Sequence, residues 1–470
     1  MQGVAGVVTT GIYCRPGCSA QPLAPNVRRF PTAAAAEAAG YRACLRCRPY
    51  RLPPVPDGIQ QELVCRAVRH IVVGGALDEG TEISLANRLG VSARHLRRLF
   101  MTHIGVTPDG LARSARAHFA RRLLDETDLT ITEIAYVAGF GSLRQFNRVC
   151  REVFRAAPSD LRAKRRRADR LAADGGLALR LAFHGPLDWP EMLRCLGRTA
   201  IPGVEHVFGR EYRRTVLIDG DPGVLELLPG GDDHLVLRAH LPHWRELLHV
   251  VRRARRIASL DSEVREPVRQ LERDPVVGPL VHARPGLRVP GTWDGFEAGV
   301  TALVAADTTA GAARAIVGQL VERHGVRLSG LGSMGLTHTF PTPEVLAAAD
   351  LAGIGLSAAK AAAIRALAAA TADGAVRLDW GGDLEALVAS IEAVPGVGVL
   401  TAQYVALRLG EPDAFPISGR KPARVRVFGR PARAAFGDEW RPWRALAFTH
   451  LWMSGGLCEF DAELAEQGAA

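Results

Sequence analysis

The sequence has no apolar run of about 18 residues or more, the length that a membrane-spanning helix requires. It also lacks the N-terminal pattern of a signal peptide, in which a basic start precedes an apolar stretch and a small-residue cleavage site. These absences argue against membrane spanning and secretion. We therefore expect a cytoplasmic protein that has no membrane as a partner.

Lysine is scarce, because Lys164, Lys360 and Lys421 are the only lysines among 59 basic residues. The formal net charge is nevertheless +10, carried almost entirely by arginine. Such a charge favours a polyanionic partner, with nucleic acid ahead of a membrane surface. A compositional bias in the coding sequence would also produce abundant arginine, so charge alone leaves both explanations open.

Cysteine is sparse as well, with eight residues in a chain of 470, and four of the eight fall between positions 14 and 47. In a reducing compartment, such a cluster is more typical of a metal site than of a disulfide framework. The length allows roughly three to four domains, each with its own core.

Composition and periodicity predict four domains. Residues 1–52 hold the cysteine cluster and end in a Pro/Gly-rich linker, and residues 59–166 have helical periodicity throughout. Residues 177–285 contain short alternating stretches and turn signals that predict strands, whereas residues 290–461 return to Ala/Leu-rich helical periodicity. The predicted fold class is multi-domain α+β, mainly α.

The cysteine spacing predicts one tetrahedral zinc site. Cys14 and Cys18 are separated by three residues, and Cys44 and Cys47 by two. Two such pairs can converge on one Zn²⁺ ion, because each short loop presents two sulfurs. A closed zinc site that only stabilises the fold is the alternative to a reactive one.

The residues around these cysteines resemble the N-terminal domain of the Ada family of adaptive-response proteins. The resemblance rests on Thr9-Thr10-Gly11-Ile12-Tyr13-Cys14-Arg15-Pro16-Gly17-Cys18 and on Ala38-Ala39-Gly40-Tyr41-Arg42-Ala43-Cys44-Leu45-Arg46-Cys47. It implies that Cys14 is both a zinc ligand and the irreversible acceptor of methyl groups from DNA methylphosphotriesters. It also implies that Thr10 and Arg42 contact DNA.

Zinc coordination is compatible with this reaction, because a metal-bound sulfur stays a thiolate at neutral pH and can attack a methyl carbon directly. Methylation of Cys14 would also remove one negative charge from a centre with four thiolates. Repulsion toward phosphate would then fall, so the single-turnover reaction could switch the affinity for DNA.

Two helix-turn-helix patterns follow, at residues 83–100 and 131–150. In each, a short helix leads through a glycine turn to a serine cap, Ser92 or Ser142, and then to an arginine-containing helix. An ordinary helical hairpin is the alternative for either copy alone. Together the two copies resemble the AraC-type regulator domain, which implies these candidate base or phosphate readers: Arg94, His95, Arg97, Arg144, Gln145 and Asn147. With two recognition helices on one chain, we expect a monomer that binds promoter DNA and contacts RNA polymerase.

The C-terminal half contains the glycine-rich segment Val394-Pro395-Gly396-Val397-Gly398 between two helical stretches. Gly396 and Gly398 allow a tight turn, and the amides at the following helix start can hold a DNA phosphate. A bare turn is the alternative. In context, residues 177–461 resemble AlkA-like DNA glycosylases with a helix-hairpin-helix motif, which implies that Tyr404 and Trp452 line a pocket for a flipped base.

The carboxylate that this resemblance requires is missing. The family's aspartate should follow the segment Asp413-Ala414-Phe415-Pro416, but Gly419 occupies its position. Asp413 or Asp438 could replace the aspartate only if the loop were rebuilt. Because loss of such a carboxylate commonly costs orders of magnitude in rate, we expect a glycosylase half that is impaired and retained as a DNA-binding scaffold.

The favoured function is therefore a fused Ada-like and AlkA-like protein that accepts methyl groups from alkylated double-stranded DNA and regulates transcription. An active DNA-3-methyladenine glycosylase with N-terminal regulatory domains is one alternative. A zinc-structured transcription factor without methyl chemistry is another. The Cys-Pro-His-Arg motif of the family's guanine-repair domain is absent from the sequence, so we expect no transfer from O6-methylguanine.

Overall fold

The computed structural model describes residues 3–20, 22–53, 62–78, 80–166, 169–171, 175–306, 308–379, 383–417, 426–431 and 436–457. The chain divides into two compact units: unit 1 comprises residues 1–184, 234–238 and 243–252, and unit 2 comprises the remaining residues. Helices predominate and two larger sheets are present, which confirms the predicted mainly α, α+β class. Within the described ranges, no helix is long and apolar enough to cross a bilayer.

Unit 1 begins with a four-stranded sheet of order β3-β1-β2-β4. Its strands are β1 (Val4–Val7), β2 (Ile12–Cys14), β3 (Val27–Phe30) and β4 (Arg42–Ala43). Strand β1 pairs antiparallel with β2 and β3, whereas β2 and β4 run parallel. Helix α1 (Ala33–Ala38) follows β3, and the Thr32 side chain caps it by accepting a hydrogen bond from the amide of Ala35. The sheet therefore brings the ends of β2 and β4 side by side.

A helical bundle occupies most of unit 1. Its helices are α2 (Glu62–Val72), α3 (Glu82–Arg88), α4 (Ala93–His103), α5 (Pro108–Glu126), α6 (Ile131–Val137), α7 (Leu143–Phe154) and α8 (Pro158–Ala163). Helix α5 packs against α2, α4, α6, α7 and α8. It is the central helix between the two pairs α3–α4 and α6–α7.

The two helix pairs repeat one capping scheme. Thr81 and Thr130 cap the first helix of each pair with a capping box, and Ser92 and Ser142 cap the second. The inward-facing positions of α6 and its turn are buried: Ile134, Ala135, Val137 and Ala138. The sequence prediction of two helix-turn-helix copies with serine caps is confirmed.

Strands occur where alternation predicted them. In unit 1, β5 (Leu177–Ala182) lies beside β9 (His234–His240), whose first five residues belong to this unit. In unit 2, β6 (Glu205–Phe208), β7 (Glu211–Ile218) and β8 (Asp221–Pro229) form an antiparallel meander. Asp219 and Gly220 make the turn between β7 and β8, both with positive φ.

The remaining helices surround the core of unit 2. They are α9 (Trp189–Arg198), α10 (Leu247–Ile257, beginning in unit 1), α11 (Arg265–Leu271), α12 (Gly278–Ala283), α13 (Gly295–Ala305), α14 (Ala310–His324), α15 (Pro343–Ala347), α16 (Ala358–Ala372), α17 (Leu384–Glu392), α18 (Val399–Leu409) and α19 (Arg444–Met453). A short hairpin joins β10 (Arg426–Val427) to β11 (Arg430–Pro431). Helix α13 is central, because it packs against α14, α16 and α18.

Candidate metal centre and DNA-binding elements

The four predicted zinc ligands come together in unit 1. The parallel register aligns Ile12 with Arg42 and Tyr13 with Ala43, so Cys14 and Cys44 follow in step at the ends of β2 and β4. The sulfur atoms of Cys14, Cys18, Cys44 and Cys47 all lie within 4.8 Å of one another. Cys14 and Cys44 are buried, whereas Cys18 and Cys47 are half-buried. Four sulfurs at this separation suit a tetrahedral thiolate site.

The pKa shifts of the clustered cysteines indicate that a cation is needed to keep them as thiolates. Burial first, and then the thiols of Cys44 and Cys47, raise the pKa of Cys14 well above its ordinary range. Burial also raises the pKa of Cys47 to about 11, although a backbone hydrogen bond from Arg15 opposes the rise. At Cys44 burial likewise raises the pKa, but hydrogen bonds from the amides of Cys47 and Arg46 and from the thiols of Cys14 and Cys47 together lower it below its ordinary value. The protein's own groups thus favour the thiolate form at only one of these three sulfurs, and a soft divalent cation would stabilise all of them.

The two predicted DNA contacts of this domain lie at one end of the β2–β4 pair. Thr10 is exposed in the turn before β2, next to Gly11, whose carbonyl accepts a hydrogen bond from the amide of Arg42 at 2.8 Å. The Arg42 side chain is half-buried and donates from Nη1 to the carbonyl of Ala43 at 3.4 Å. Thr10 and Arg42 are therefore neighbours, because the residue that follows Thr10 is hydrogen-bonded to the backbone of Arg42.

A buried polar cluster joins the cysteine domain to helix α5. The Tyr13 hydroxyl donates to Oε1 of Glu37 at 2.6 Å, and the Ser114 hydroxyl donates to Oε2 at 2.7 Å. His118 Nε2 lies 2.6 Å from Oε1 of Glu37, so this ring nitrogen carries the hydrogen. Sequence reasoning missed this cluster, although Glu37 is the single charged residue in an otherwise all-alanine α1.

A second missed cluster lies where the cysteine domain ends. Arg48 pairs with Asp169 at 2.5 Å, and the Tyr50 hydroxyl donates to Asp125 at 2.9 Å. Asp125 also accepts from Arg121 within α5, and its side chain is fully buried. Although burial raises the pKa of Asp169, the hydrogen bond from Arg48 and the arginine charges hold it at about 2. No local sequence signal predicts that Arg48 pairs with Asp169 or that Tyr50 bonds to Asp125, because the members of each pair lie far apart in the chain.

The candidate readers of the first helix-turn-helix copy lie on α4. Arg94 is exposed near its start, and His95 is half-buried, with Nδ1 2.9 Å from Nη2 of Arg98. Arg97 forms an ion pair with Glu82, whose side chain is only 5% exposed. Glu82 Oε1 also accepts from the amide of Asp109 at 3.2 Å. Arg97 thus has a structural partner that sequence reasoning did not predict.

The candidate readers of the second copy lie on α7. Arg144 and Gln145 are exposed, and Asn147 is half-buried. The Gln145 Oε1 accepts from the amide of Gly141 at 3.0 Å, and Asn147 Nδ2 donates to the carbonyl of Leu143 at 2.8 Å. Both amide side chains therefore bond to backbone near the start of α7, whereas the Arg144 side chain extends into solvent.

In unit 2, the predicted glycine turn joins α17 to α18. Gly396 has φ of 83°, and a Cβ there would lie 2.8 Å from the Cβ of Ala363. Gly398 is the N-cap residue of α18, and a Cβ there would meet nothing within 4 Å. The first glycine is needed for conformation and packing, whereas the second leaves the amides at the start of α18 open to approach.

The predicted base-pocket residues are both half-buried in unit 2. The Tyr404 hydroxyl accepts from Nη1 of Arg408 at 2.8 Å. The guanidinium of Arg198 lies 5.4 Å from the centre of the Trp452 ring. Among the described residues, none accepts a hydrogen bond from the buried Nε1 of Trp452.

Asp413 and Asp438, the two carboxylates considered as replacements for the missing aspartate, both lie near arginines. Asp413 accepts from Arg441 at 2.5 Å and from Arg444 at 2.7 and 2.8 Å. Asp438 is 59% exposed, and its closest arginine nitrogen lies 3.6 Å away. Gly419, which replaces the expected aspartate, lies outside the described residues.

Three family models match the chain. The metal binding domain of Ada matches residues 2–50, a helix-turn-helix domain matches residues 85–164, and the AlkA N-terminal domain matches residues 178–294. A Mycobacterium tuberculosis protein named "probable bifunctional transcriptional activator/DNA repair enzyme AlkA" is 38% identical over 460 residues, covering 96% of this chain and 92% of the relative. The chain belongs to this family of fused Ada–AlkA proteins.

Two relatives each resemble one part of this Ada–AlkA fusion. Escherichia coli DNA-3-methyladenine glycosylase 2 is 30% identical over 289 residues, covering 59% of this chain and 97% of the relative. The Escherichia coli bifunctional transcriptional activator/DNA repair enzyme Ada is 34% identical over 141 residues, covering 29% of this chain and 37% of the relative. The fusion predicted from sequence is confirmed.

The Ada-type cysteine domain of the fusion holds one zinc ion with four cysteine ligands. The match to the metal binding domain covers all four cysteines, and their sulfurs have the mutual distances that such a site needs. This confirms the predicted cofactor.

Proposed function

We propose that this Ada–AlkA protein accepts methyl groups from DNA methylphosphotriesters on Cys14 and regulates transcription through its helix-turn-helix domain. The observation that carries the proposal is the convergence of four cysteine sulfurs within 4.8 Å at the end of β2. The same strand aligns Arg42 with Ile12 and begins just after Thr10, so two candidate phosphate contacts adjoin the acceptor.

The proposed reaction is a direct displacement at carbon. The Cys14 sulfur forms a bond to the methyl carbon, the bond from that carbon to the phosphotriester oxygen breaks, and its electron pair leaves with the oxygen. The products are S-methylcysteine and an ordinary phosphodiester anion. A bound zinc ion supplies the thiolate form of the sulfur at neutral pH.

The neighbouring side chains would position the DNA. Arg42 would pair with a flanking phosphate, and the exposed Thr10 hydroxyl would donate a second hydrogen bond. Cys14 is only 7% exposed to solvent. Only a small alkyl group could therefore reach its sulfur, and Thr10 and Arg42 would hold the phosphate that carries this group.

The regulatory part of the proposal rests on α4 and α7. Each is the capped second helix of its copy, so the pair could enter successive major-groove segments about 34 Å apart on one face of promoter DNA. We propose the exposed residues Arg94 and Arg144 as the principal contacts with DNA. One chain with two recognition helices would act as a monomer and contact RNA polymerase at the promoter.

We propose that the glycosylase half binds DNA but excises bases poorly. Gly419 replaces the aspartate that would stabilise a cationic sugar. Asp413 is a poor substitute, because Arg441 and Arg444 already neutralise its charge. The exposed amides after Gly398 would hold a phosphate at the start of α18.

An active DNA-3-methyladenine glycosylase is the second candidate function. The 30% identity with Escherichia coli DNA-3-methyladenine glycosylase 2 over nearly the whole of that enzyme favours it. Tyr404 and Trp452 would then stack on the flipped base.

One experiment separates the two candidates. The zinc-loaded chain is incubated with duplex DNA that carries methylphosphotriesters and alkylated bases. Intact mass and peptide mapping then locate any methyl group on the protein, and chromatography detects released bases. Cys14→Ala removes the proposed acceptor, whereas Cys150→Ala removes a buried thiol of α7 outside the metal cluster and serves as the control.

We expect one methyl group on Cys14 in the wild-type chain and in Cys150→Ala, none in Cys14→Ala, and little free base in any sample. Released 3-methyladenine with an unmodified Cys14 would reverse the assignment in favour of the glycosylase. An unmodified Cys14 without released base would leave a zinc-structured regulator.

A further inference from the structure

The carboxylate of Glu37 lies at the junction between the cysteine domain (residues 1–52), here called the zinc domain, and the central helix α5. Its side chain is 5% exposed and accepts hydrogen bonds from three side chains. One donor, Tyr13, belongs to β2 of the zinc domain, whereas Ser114 and His118 lie one turn apart on α5. The Glu37 carboxylate is therefore one link between the two domains, beside the hydrogen bond from Tyr50 to Asp125 of α5.

Tyr13 connects this carboxylate to the metal centre. It directly precedes Cys14 in β2, and its carbonyl accepts a hydrogen bond from the amide of Cys44 at 3.0 Å. The Tyr13 side chain is fully buried. A displacement of Cys14 that reaches the backbone of β2 would therefore also move the Tyr13 ring, and with it the hydroxyl bound to Glu37.

On the other side, α5 reaches both DNA-reading pairs. It packs against α4 of the first copy and against α6 and α7 of the second. Ser114 and His118 lie in its middle, and Ser114 is buried. A shift of α5 relative to the zinc domain would therefore change the placement of both recognition helices.

We propose that Glu37 is a positioning residue that transmits the chemical state of Cys14 to helix α5 and so to both recognition helices. The inference rests on the proposed function, since it assigns Glu37 a part in the response to methylation. When the Cys14 sulfur becomes a methyl thioether, the added methyl group changes the packing around Cys14, and the hydrogen bonds through Tyr13 and Glu37 carry that change to α5.

This coupling differs from a switch that acts by charge alone. Loss of one negative charge at the metal centre strengthens phosphate binding whether or not Glu37 is present. If Glu37 transmits the state of Cys14 to α5, part of the gain in DNA affinity on methylation is lost when the hydrogen bonds of Glu37 to Tyr13, Ser114 and His118 are altered. The ratio of DNA affinities after and before methylation, measured within one variant, therefore separates the two mechanisms, and a merely structural role would leave this ratio unchanged.

The test uses the full zinc-loaded chain, methylated on Cys14 with iodomethane and checked by peptide mapping. Iodomethane makes the state of Cys14 independent of the phosphotriester reaction. The DNA probe is one fixed duplex, selected by the methylated wild-type protein from a random-sequence pool. Glu37→Gln alters the carboxylate, and Tyr13→Phe removes only the hydroxyl on the zinc-domain side.

Arg155→Ala is the matched control. Arg155 Nη2 donates to the carbonyl of Gly40 at 3.2 Å, so it also links the helical domain to the zinc domain, but it bypasses Tyr13 and Glu37. Zinc content and the urea midpoint of every variant show whether it is folded and metal-loaded.

We expect methylation to raise the DNA affinity of the wild-type chain and of Arg155→Ala by the same factor. In Glu37→Gln and Tyr13→Phe that factor should fall about fivefold or more, a typical size for coupling between sites. The inference is overturned if both variants keep the full gain, if Arg155→Ala loses as much as they do, or if methylated wild type gains nothing. None of these results alters the mass test of phosphotriester transfer.

Discussion

Arg444 binds Asp413 through two parallel hydrogen bonds, Nε to Oδ1 at 2.7 Å and Nη2 to Oδ2 at 2.8 Å. Both partners are largely buried, with side chains 8% and 18% exposed. Arg441 adds a third bond at 2.5 Å. A carboxylate that neutralises two guanidinium groups contributes to the stability of this half.

Asp413→Asn should therefore destabilise unit 2. Loss of a mostly buried partner should lower the free energy of unfolding by about 2 kcal/mol, because Arg444 would keep a charge without its carboxylate. Urea denaturation followed by tryptophan fluorescence measures the change. Asp438→Asn is the control, and at 59% exposure it should change stability by less than about 0.5 kcal/mol. Equal effects of the two substitutions would contradict this role of Asp413.

Gly396→Ala should cost about 1–3 kcal/mol of stability, since alanine must adopt φ of 83° there and its Cβ would lie 2.8 Å from Ala363. Gly398→Ala has open space around its Cβ and should cost less than about 1 kcal/mol. Urea midpoints compare the stability of the two variants. Their affinity for a non-specific duplex, measured at one salt concentration, shows whether either substitution also weakens DNA binding. A milder loss for Gly396→Ala than for Gly398→Ala would refute the requirement for a left-handed residue at position 396.

Arg94→Ala and Arg97→Ala should separate DNA contact from folding. Arg94 is exposed, so its loss should weaken duplex binding, lower the salt-dependence slope by about 1 and leave stability unchanged. Arg97→Ala leaves the buried Glu82 without its arginine, so it should lower the urea midpoint of the helical domain. Salt titrations of DNA affinity and urea unfolding measure both quantities. A stable Arg97→Ala whose salt slope falls as in Arg94→Ala would make Arg97 a phosphate contact instead.

His450 should make unit 2 sensitive to acid. Burial first, and then the charge of Arg284, lower the pKa of His450 to about 4. The unfolded chain binds this proton near pH 6.5, whereas the folded chain does so only near 4, so stability is full above about 6.5 and falls as the pH drops toward 4. The loss across this window should approach about 3 kcal/mol. Urea midpoints measured between pH 7 and 4 should decline less in His450→Asn than in wild type.

His282→Asn is the control for that measurement, because His282 is exposed on α12. It should leave the pH dependence as it is in wild type. A wild-type decline that persists unchanged in His450→Asn would assign the acid sensitivity to other groups.

Features with a short sequence signature were predictable. Two cysteine pairs at zinc spacing, serine caps after glycine turns and a glycine-rich joint each depend on residues within a few positions of one another. Local propensity is sufficient for the caps and the glycine joint, and the spacing within each cysteine pair indicates the zinc site although the two pairs lie apart in the chain. The strands β5 and β9 were likewise predictable from alternation.

Roles that depend on distant partners were not predictable. Arg97 stays a predicted DNA contact, but the sequence did not show that it also pairs with Glu82, 15 residues away. Gln145 and Asn147 likewise stay predicted DNA contacts, although the structure adds hydrogen bonds between their amide groups and nearby backbone. A sequence pattern gives the side chain's chemistry and its face of the helix, whereas its actual partner depends on which groups the fold brings within hydrogen-bond distance.

The sequence by itself determined the metal, its four ligands and the two helix-turn-helix copies, because motif spacing encodes each of them, and the fused Ada–AlkA architecture followed from resemblance to two families. Only the tertiary structure decided that Tyr13 and Glu37 join the zinc centre to α5, and that Asp413 is bound by two arginines. Those contacts join residues between 24 and 77 positions apart, and hydrogen bonds at such separations exist only after the intervening elements have packed.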